Sequence, residues 1–298
     1  MYIIKTLTIM RKTIQLFLVK LLIITIFVSC EQSSIDFSDD GILPGLFSVS
    51  ETEQIHFSQG NLQYQASTAT WRFAENQYNA IGKDNSNISD SYDGWIDLFG
   101  WATSGYNNSM PYQTSDRPED YGIINVESIA KTNYDWGVFN KISNGGNKAG
   151  IWRLLTSTEW EYILNFRENA SKLFGVGCVN DVNGLILLPD SCIIPEGITF
   201  QAAVASDSNT DLYRIVNDFN LEEWELLESV GAVFLPASGA RLEKRVMYVG
   251  VAGYYWTDTP FEYDSVSVYC MGFDSSRVVW EGLSNRTNGR SVRLVRSY

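Results

Sequence analysis

The chain has 298 residues, 45% hydrophobic and 13% aromatic, with 35 acidic against 22 basic side chains and a formal net charge of −13. This is globular rather than disordered composition, and the acidic balance argues against nucleic acid as a partner because like charge repels phosphate backbones. One histidine and four cysteines leave too few ligands for an ordinary zinc site and tie any Ser/His or Cys/His mechanism to His56.

Residues 1–29 stand apart. Lys5, Arg11, Lys12 and Lys20 are their only charges, and residues 21–28 (LLIITIFV) form a short apolar run. A span of the bilayer needs about 20 apolar residues, so this run suits the h-region of a signal peptide. Its removal takes away four positive charges and no negative ones, leaving the remainder still more acidic. Phe27-Val28-Ser29-Cys30 resembles a bacterial lipobox, which implies cleavage before Cys30 and lipidation of its sulfur. After Cys30 the run EQSSIDFSDD is polar, acidic and aperiodic, and residues 30–45 are predicted to be a flexible tether. An acidic tether after such a cysteine resembles the surface-export signal of Bacteroidetes lipoproteins. That resemblance implies an outer-membrane protein, anchored through Cys30 and facing the cell exterior.

One domain is expected over residues 46–298, long enough to bury about three quarters of its unfolded surface. Short strands are predicted at 54–57, 61–65 and 71–73. His56 lies in the first of these, where a solvent-face role is the ordinary one. Residues 76–147 are rich in Asn, Ser, Asp, Gly and Tyr with little periodicity, so they predict a long, packed, loop-rich stretch. Its acidic run, Asp84, Asp90, Asp93 and Asp97, lacks the alternate spacing of an EF-hand and predicts a solvated turn rather than a cation site.

Residues 152–162 (WRLLTSTEWEY) carry the strongest local signal. Thr156 and Glu159 have capping-box spacing, and Trp160, Ile163, Leu164 and Arg167 follow at helical intervals. Asn180 to Gly184 reads as a hairpin turn. It would pair Cys178 with residues near Ile186, so three buried thiols are favoured over a Cys178–Cys192 bridge. A second helix is predicted over 221–229, with Asn220 and Glu223 as its cap and Gly231 as its stop. Strands follow at 185–188, 232–235, 253–257, 265–271, 277–280 and 291–296. Val266, Val268 and Cys270 alternate with Ser265, Ser267 and Tyr269. The whole reads as an α+β domain of short mixed or antiparallel sheets with two or three helices and long loops. Trp152, Trp160 and Trp224 are expected in the core. Trp95, Trp101, Trp256 and Trp280 are expected near the ligand-bearing end, with burial the first expectation for each.

WRLLTSTEWEY resembles the WRLPTxxEWEYA signature of formylglycine-generating-enzyme-like domains, which have a C-type-lectin-like fold of the sulfatase-modifying-factor type. GYYWTDTP followed by NGRSVRLVR resembles the end of the same fold, also found in the Fibrobacter-type major paralogous domain and in Bacteroidetes surface lipoproteins. FSVSETEQIHFSQGNLQYQAS, GWIDLFGWATSGYNN and YDWGVFN are similar to that lipoprotein group. The catalytic branch requires two closely spaced cysteines near the C-terminal end. Here only Cys270 lies in that half, and Leu155 replaces the signature proline. One thiol can neither cycle to a disulfide nor form a two-thiolate metal site. The Glu-Pro-Asn, Gln-Pro-Asp and Trp-Asn-Asp runs of calcium-dependent lectins are missing too. The expectation is therefore a binding protein with no catalytic residue, cofactor or metal. The resemblance places its ligand contacts at Thr257, Asp258, Tyr263, Tyr269, Arg277, Trp280, Asn285, Arg286 and Asn288. Its partner would be an extracellular glycan or protein. The rival readings are a structural subunit of a fimbria-like surface assembly and an oxidoreductase of the formylglycine-generating type.

Overall fold

The computed structural model describes residues 40–121 and 128–298. The expected signal peptide, Cys30 and the tether up to residue 39 lie outside the described residues. In chain order the strands are β1 (Phe47–Ser48), β2 (Gln54–Phe57), β3 (Leu62–Gln65), β4 (Thr70–Phe73), β5 (Trp95–Ile96), β6 (Phe174–Val179), β7 (Val182–Leu187), β8 (Asp218–Phe219), β9 (Val233–Pro236), β10 (Ala240–Leu242), β11 (Arg245–Met247), β12 (Ala252–Pro260), β13 (Ser267–Asp274), β14 (Arg277–Asn285) and β15 (Val295–Ser297). They form small sheets ordered β1-β2-β15, β4-β3-β5, β8-β6-β7-β9, β10-β11 and β12-β13-β14. Among the described strands every ladder is antiparallel except β6 with β8. The α-helices are short: α1 (Trp136–Phe139), α2 (Ser157–Glu161), α3 (Leu212–Val216) and α4 (Leu221–Ser229). The molecule is thus a mixed α/β structure of small sheets and few helices, compatible with α+β.

Both predicted caps form as full capping boxes. At α2 the Glu159 amide donates to Thr156 Oγ1 (3.0 Å), and the Thr156 amide donates back to Glu159 Oε2 (2.8 Å). At α4 Asn220 and Glu223 make the same exchange at 3.0 Å each way. The predicted helix after Thr156 is an α-helix only to Glu161 and continues as a π-turn over Tyr162–Phe166. Trp160, Ile163 and Leu164 are buried as the spacing requires. Arg167 is buried with them, its Nε donating to Ile163 O (2.7 Å) and its Nη1 paired with Asp190 (3.1 Å).

Among the described residues, three apolar clusters fill the interior. Phe47, Phe57, Trp160, Tyr255 and Val295 pack around α2. Trp71, Phe99, Trp101, Trp136, Trp152 and Trp256 make an aromatic second cluster. Val179, Phe219, Trp224 and Phe234 make the third, under α4. The loop-rich stretch is therefore packed, as its aromatics predict, because it inserts Trp101 and Trp136 into the second cluster.

Several expectations need correction. Residues 41–45 are part of the domain rather than tether. Leu43 is buried, its amide donates to Phe57 O (3.0 Å), and Ile42 bridges to Ser58. Leu43 and the partly buried Ile42 give this segment the apolar surface that packs on the domain. Gly45 lies against Gly231, where an added Cβ on Gly231 would sit 2.3 Å from the Gly45 Cα, and Gly231 has φ +91°. Asp97 is no solvated turn residue. It is fully buried and accepts from the Ile81 amide (2.9 Å) and Asn85 Nδ2 (2.8 Å), whereas Asp84, Asp90 and Asp93 are exposed. The turn at Asn180-Asp181 is tighter than expected. Both residues have positive φ, 46° and 64°, and Cys178 pairs with Asn183. Cys178, Cys192 and Cys270 are free thiols, but Cys192 is only half-buried. The predicted last strand is regular only from Val295.

Candidate functional site

The C-terminal meander β12-β13-β14 sets the geometry of the site. Side chains of directly opposed residues share a face of an antiparallel sheet. Tyr254 opposes Gly272, which opposes Val279, and Asp274 opposes Arg277. In the next row Trp256 opposes Cys270, which opposes Gly282. Two rows on one face therefore contain a glycine where neighbours would place a side chain. The register also shifts between Cys270 and Gly272, so β14 bulges there, a device that re-aims side chains. The result is a cavity of about 220 Å³ over Gly272 and Gly282.

Its walls differ in chemistry. Tyr254 is half-buried, and the guanidinium of Arg290 lies 4.4 Å from its ring centroid, a cation–π distance. Arg290 is fixed by mutual backbone hydrogen bonds with Phe99, 2.9 Å each way, and its Nε donates to Ser284 Oγ (3.0 Å). Val279 and Leu283 supply apolar surface, and Leu283 is 49% exposed. At the far end Asp274 pairs with Arg277 Nε (3.1 Å) and accepts the Ser276 hydroxyl (2.7 Å). Burial raises Asp274, but these bonds from Ser276 and Arg277 outweigh it and hold the carboxyl below its ordinary range. Cys270 lies on the floor. Burial pushes its thiol up to about 11, against the opposing pull of Arg290, so it stays protonated at neutral pH rather than becoming a nucleophilic thiolate.

No family model, curated protein or solved structure matches this chain.

Of the nine residues expected to contact ligand, Arg277 alone lines this cavity. Thr257, Asp258 and Arg286 are interior, a correction to the surface role expected of them. Thr257 Oγ1 donates to Tyr269 O (2.8 Å), tying β12 to β13 where their pairing is interrupted. Asp258 accepts the Thr259 hydroxyl (2.8 Å), and burial raises its carboxyl to about 6. Arg286 lies with its guanidinium 5.3 Å from the Trp101 ring centroid. Trp280 is half-buried against the cluster around α2. Asn285 is exposed, but its Oδ1 accepts from the amide and hydroxyl of Thr287, 3.0 Å each. Asn288 donates to Ser284 Oγ (3.1 Å). Tyr263 is 79% exposed and meets Tyr269 through Phe261, with ring centroids 5.2 and 5.6 Å apart. Of the other tryptophans named for this end, Trp101 and Trp256 are buried, and Trp95 is half-buried under the Arg72 guanidinium, 3.9 Å from its ring centroid.

The nine therefore do not form one surface. Arg277 and Asn285 are opposite ends of β14, about 25 Å apart at the rise of a strand. The cavity holds the Arg277 end, and the Tyr263–Phe261–Tyr269 aromatic group holds the other. Sequence reasoning missed Tyr254, Gly272, Asp274, Val279, Gly282, Leu283 and Arg290. Alternation on 265–271, continued three residues, would have put Gly272 and Asp274 on the Cys270 face. No local pattern marks Arg290, which reaches the cavity from an irregular segment.

His56 is half-buried within β2, opposite Arg296 of β15, with Nδ1 2.9 Å from Leu43 O and its ring 5.7 Å from that of Tyr298. Among the described residues no group of His, Cys, Asp and Glu is arranged to hold a metal ion.

Proposed function

We propose that this protein is a lipoprotein anchored through Cys30 to the outer membrane, facing the cell exterior, whose C-terminal sheet binds an extracellular ligand and performs no chemistry on it. The fold it resembles is C-type-lectin-like, of the formylglycine-generating-enzyme type with the catalytic cysteine pair missing. The observation that carries the binding reading is the cavity over Gly272 and Gly282. It combines an aromatic ring, an apolar wall and a few fixed polar groups, the usual make-up of a small-ligand site. Its one cysteine is enclosed and protonated, which favours recognition over thiol chemistry. A glycan end group or a single protein side chain is the scale of ligand that about 220 Å³ admits.

Glycan and protein arrays probed with the purified protein test this reading, with Gly272→Leu as the comparison. A Cβ at Gly272 would stand 3.3 Å from Tyr254 Cδ1, so the larger side chain fills the cavity at modest strain. Binding by the parent and at least a tenfold loss in the variant are expected. An array with no binding partner defeats the reading, and a folded Gly272→Leu that still binds defeats the cavity's part in it. For the anchor, Cys30→Ala should abolish palmitate labelling and release the protein from membranes. Labelling that survives the change would refute the lipid attachment.

A further inference from the structure

We infer that the cavity takes a ring-sized ligand bearing a carboxylate, such as an acidic sugar of the uronic class, and that Arg290 is the residue that holds the acid group. This rests on the reading of the cavity as the binding site. Arg290 is only 9% exposed. Its Nε is satisfied by Ser284 Oγ, and no described residue accepts from its two terminal nitrogens. No described carboxylate pairs with it. Asp274, the one acidic residue lining the cavity, is committed to Arg277 and Ser276. The thiol of Cys270 beside it is neutral. A buried guanidinium without a counter-charge is costly, and stacking on Tyr254 compensates it only in part.

What the geometry leaves open is the forked edge of the guanidinium, which matches two oxygens of a carboxylate. Backbone bonds to Phe99 and the Nε bond to Ser284 fix the fork before any ligand arrives, so little ordering is lost on binding. The rest of the cavity suits a ring. Val279 and Leu283 offer apolar contact, and the missing side chains at Gly272 and Gly282 give depth for one such unit. In a chain of net charge −13, long-range electrostatics repel an acid. Selectivity for one must therefore come from a local, enclosed cation such as this.

The test is calorimetric titration of the detergent-solubilised full chain with sodium glucuronate, sodium benzoate and glucose at pH 7 and constant ionic strength. An acid is expected to bind roughly tenfold or more tightly than glucose, and Arg290→Gln should erase that preference. Comparison of glucuronate with benzoate distinguishes a sugar acid from an aryl acid. Should Arg290→Gln fail to fold, Val279→Glu places a competing carboxylate on the same face and should remove acid binding while leaving the melting temperature near that of the parent. Glucose binding as tightly as the acids, or an acid preference that survives Arg290→Gln, overturns this inference and leaves the cavity as a neutral binding site. Binding of none of the three, with array ligands still bound and still sensitive to Gly272→Leu, also overturns it. Loss of array binding as well would overturn the broader reading.

Discussion

At the scale of single residues, charged and polar side chains in the interior hold irregular backbone in place. Asp190 is the clearest case. Its Oδ2 accepts from the amide (2.7 Å) and hydroxyl (2.7 Å) of Ser48 and from Gln54 Nε2 (3.1 Å), while Oδ1 faces Arg167. Burial raises this carboxyl, but the bonds from Ser48 and Gln54 and the Arg167 charge outweigh burial and hold it low. The Arg167 side chain is 1% exposed, so Asp190→Ala strands a buried cation. A loss of about 3–5 kcal/mol is expected, read as a shift in the urea midpoint. A loss under about 1 kcal/mol would show that water replaces the carboxylate. Neither partner was legible as a pair, because Arg167 and Asp190 lie 23 positions apart and meet only when the chain has folded.

Among the elements, the two capping boxes were readable because the whole interaction lies within four consecutive residues. Thr156→Ala and Asn220→Ala should each cost about 1 kcal/mol. Thr156→Ser should recover most of that loss, and equal losses for Ser and Ala would exclude the hydroxyl as the source. Gly231 belongs to the same helix stop but carries a second constraint, the Gly45 backbone against its Cα. Gly231→Ala should therefore cost more than a simple left-handed penalty, above about 1 kcal/mol, and should release Leu43–Gly45 to proteolysis sooner than Asn220→Ala does. The length of the α2 segment was misread for a physical reason. Spacing at three and four residues continues to Arg167, but the Arg167 amide bonds to Tyr162 O, five residues back (2.9 Å). A π-turn keeps Ile163 and Leu164 buried, so the apolar pattern alone does not distinguish it from an α-helix.

For the molecule as a whole, the titration of buried carboxyls sets how stability depends on pH. Burial raises Asp97 to about 6, Asp135 to about 7 and Asp258 to about 6, and at Asp135 the nearby Asp258 adds to the effect. In the unfolded chain such groups ionise near 4. Between about pH 4 and pH 7 the unfolded state therefore binds fewer protons than the folded one, and stability falls as pH rises. Asp190 and Asp274 have lowered values, so their contribution is present above about pH 4 and lost below it. The two trends place the maximum at mildly acidic pH. Urea denaturation should give a higher midpoint at pH 5 than at pH 8 or pH 3. A midpoint that rises steadily from pH 5 to pH 8 would refute this assignment.

The sequence by itself determined the local features: both caps, the presence of a hairpin between β6 and β7 though not its register, the alternation of β13 and its hairpin partner β14, and the α+β character of small sheets. Each depends on contacts between residues close in the chain, so each leaves a short-range pattern. The cavity did not. It exists because Gly272 and Gly282 fall in neighbouring rows of one sheet face across a bulge, and because Phe99 carries Arg290 to that face. Those are matters of register and long-range pairing, which no window of sequence contains. The same cause sent Thr257, Asp258 and Arg286 inward: their polar chemistry is what interior hydrogen bonds and a tryptophan face require, and only the tertiary structure decides which side of the sheet meets solvent.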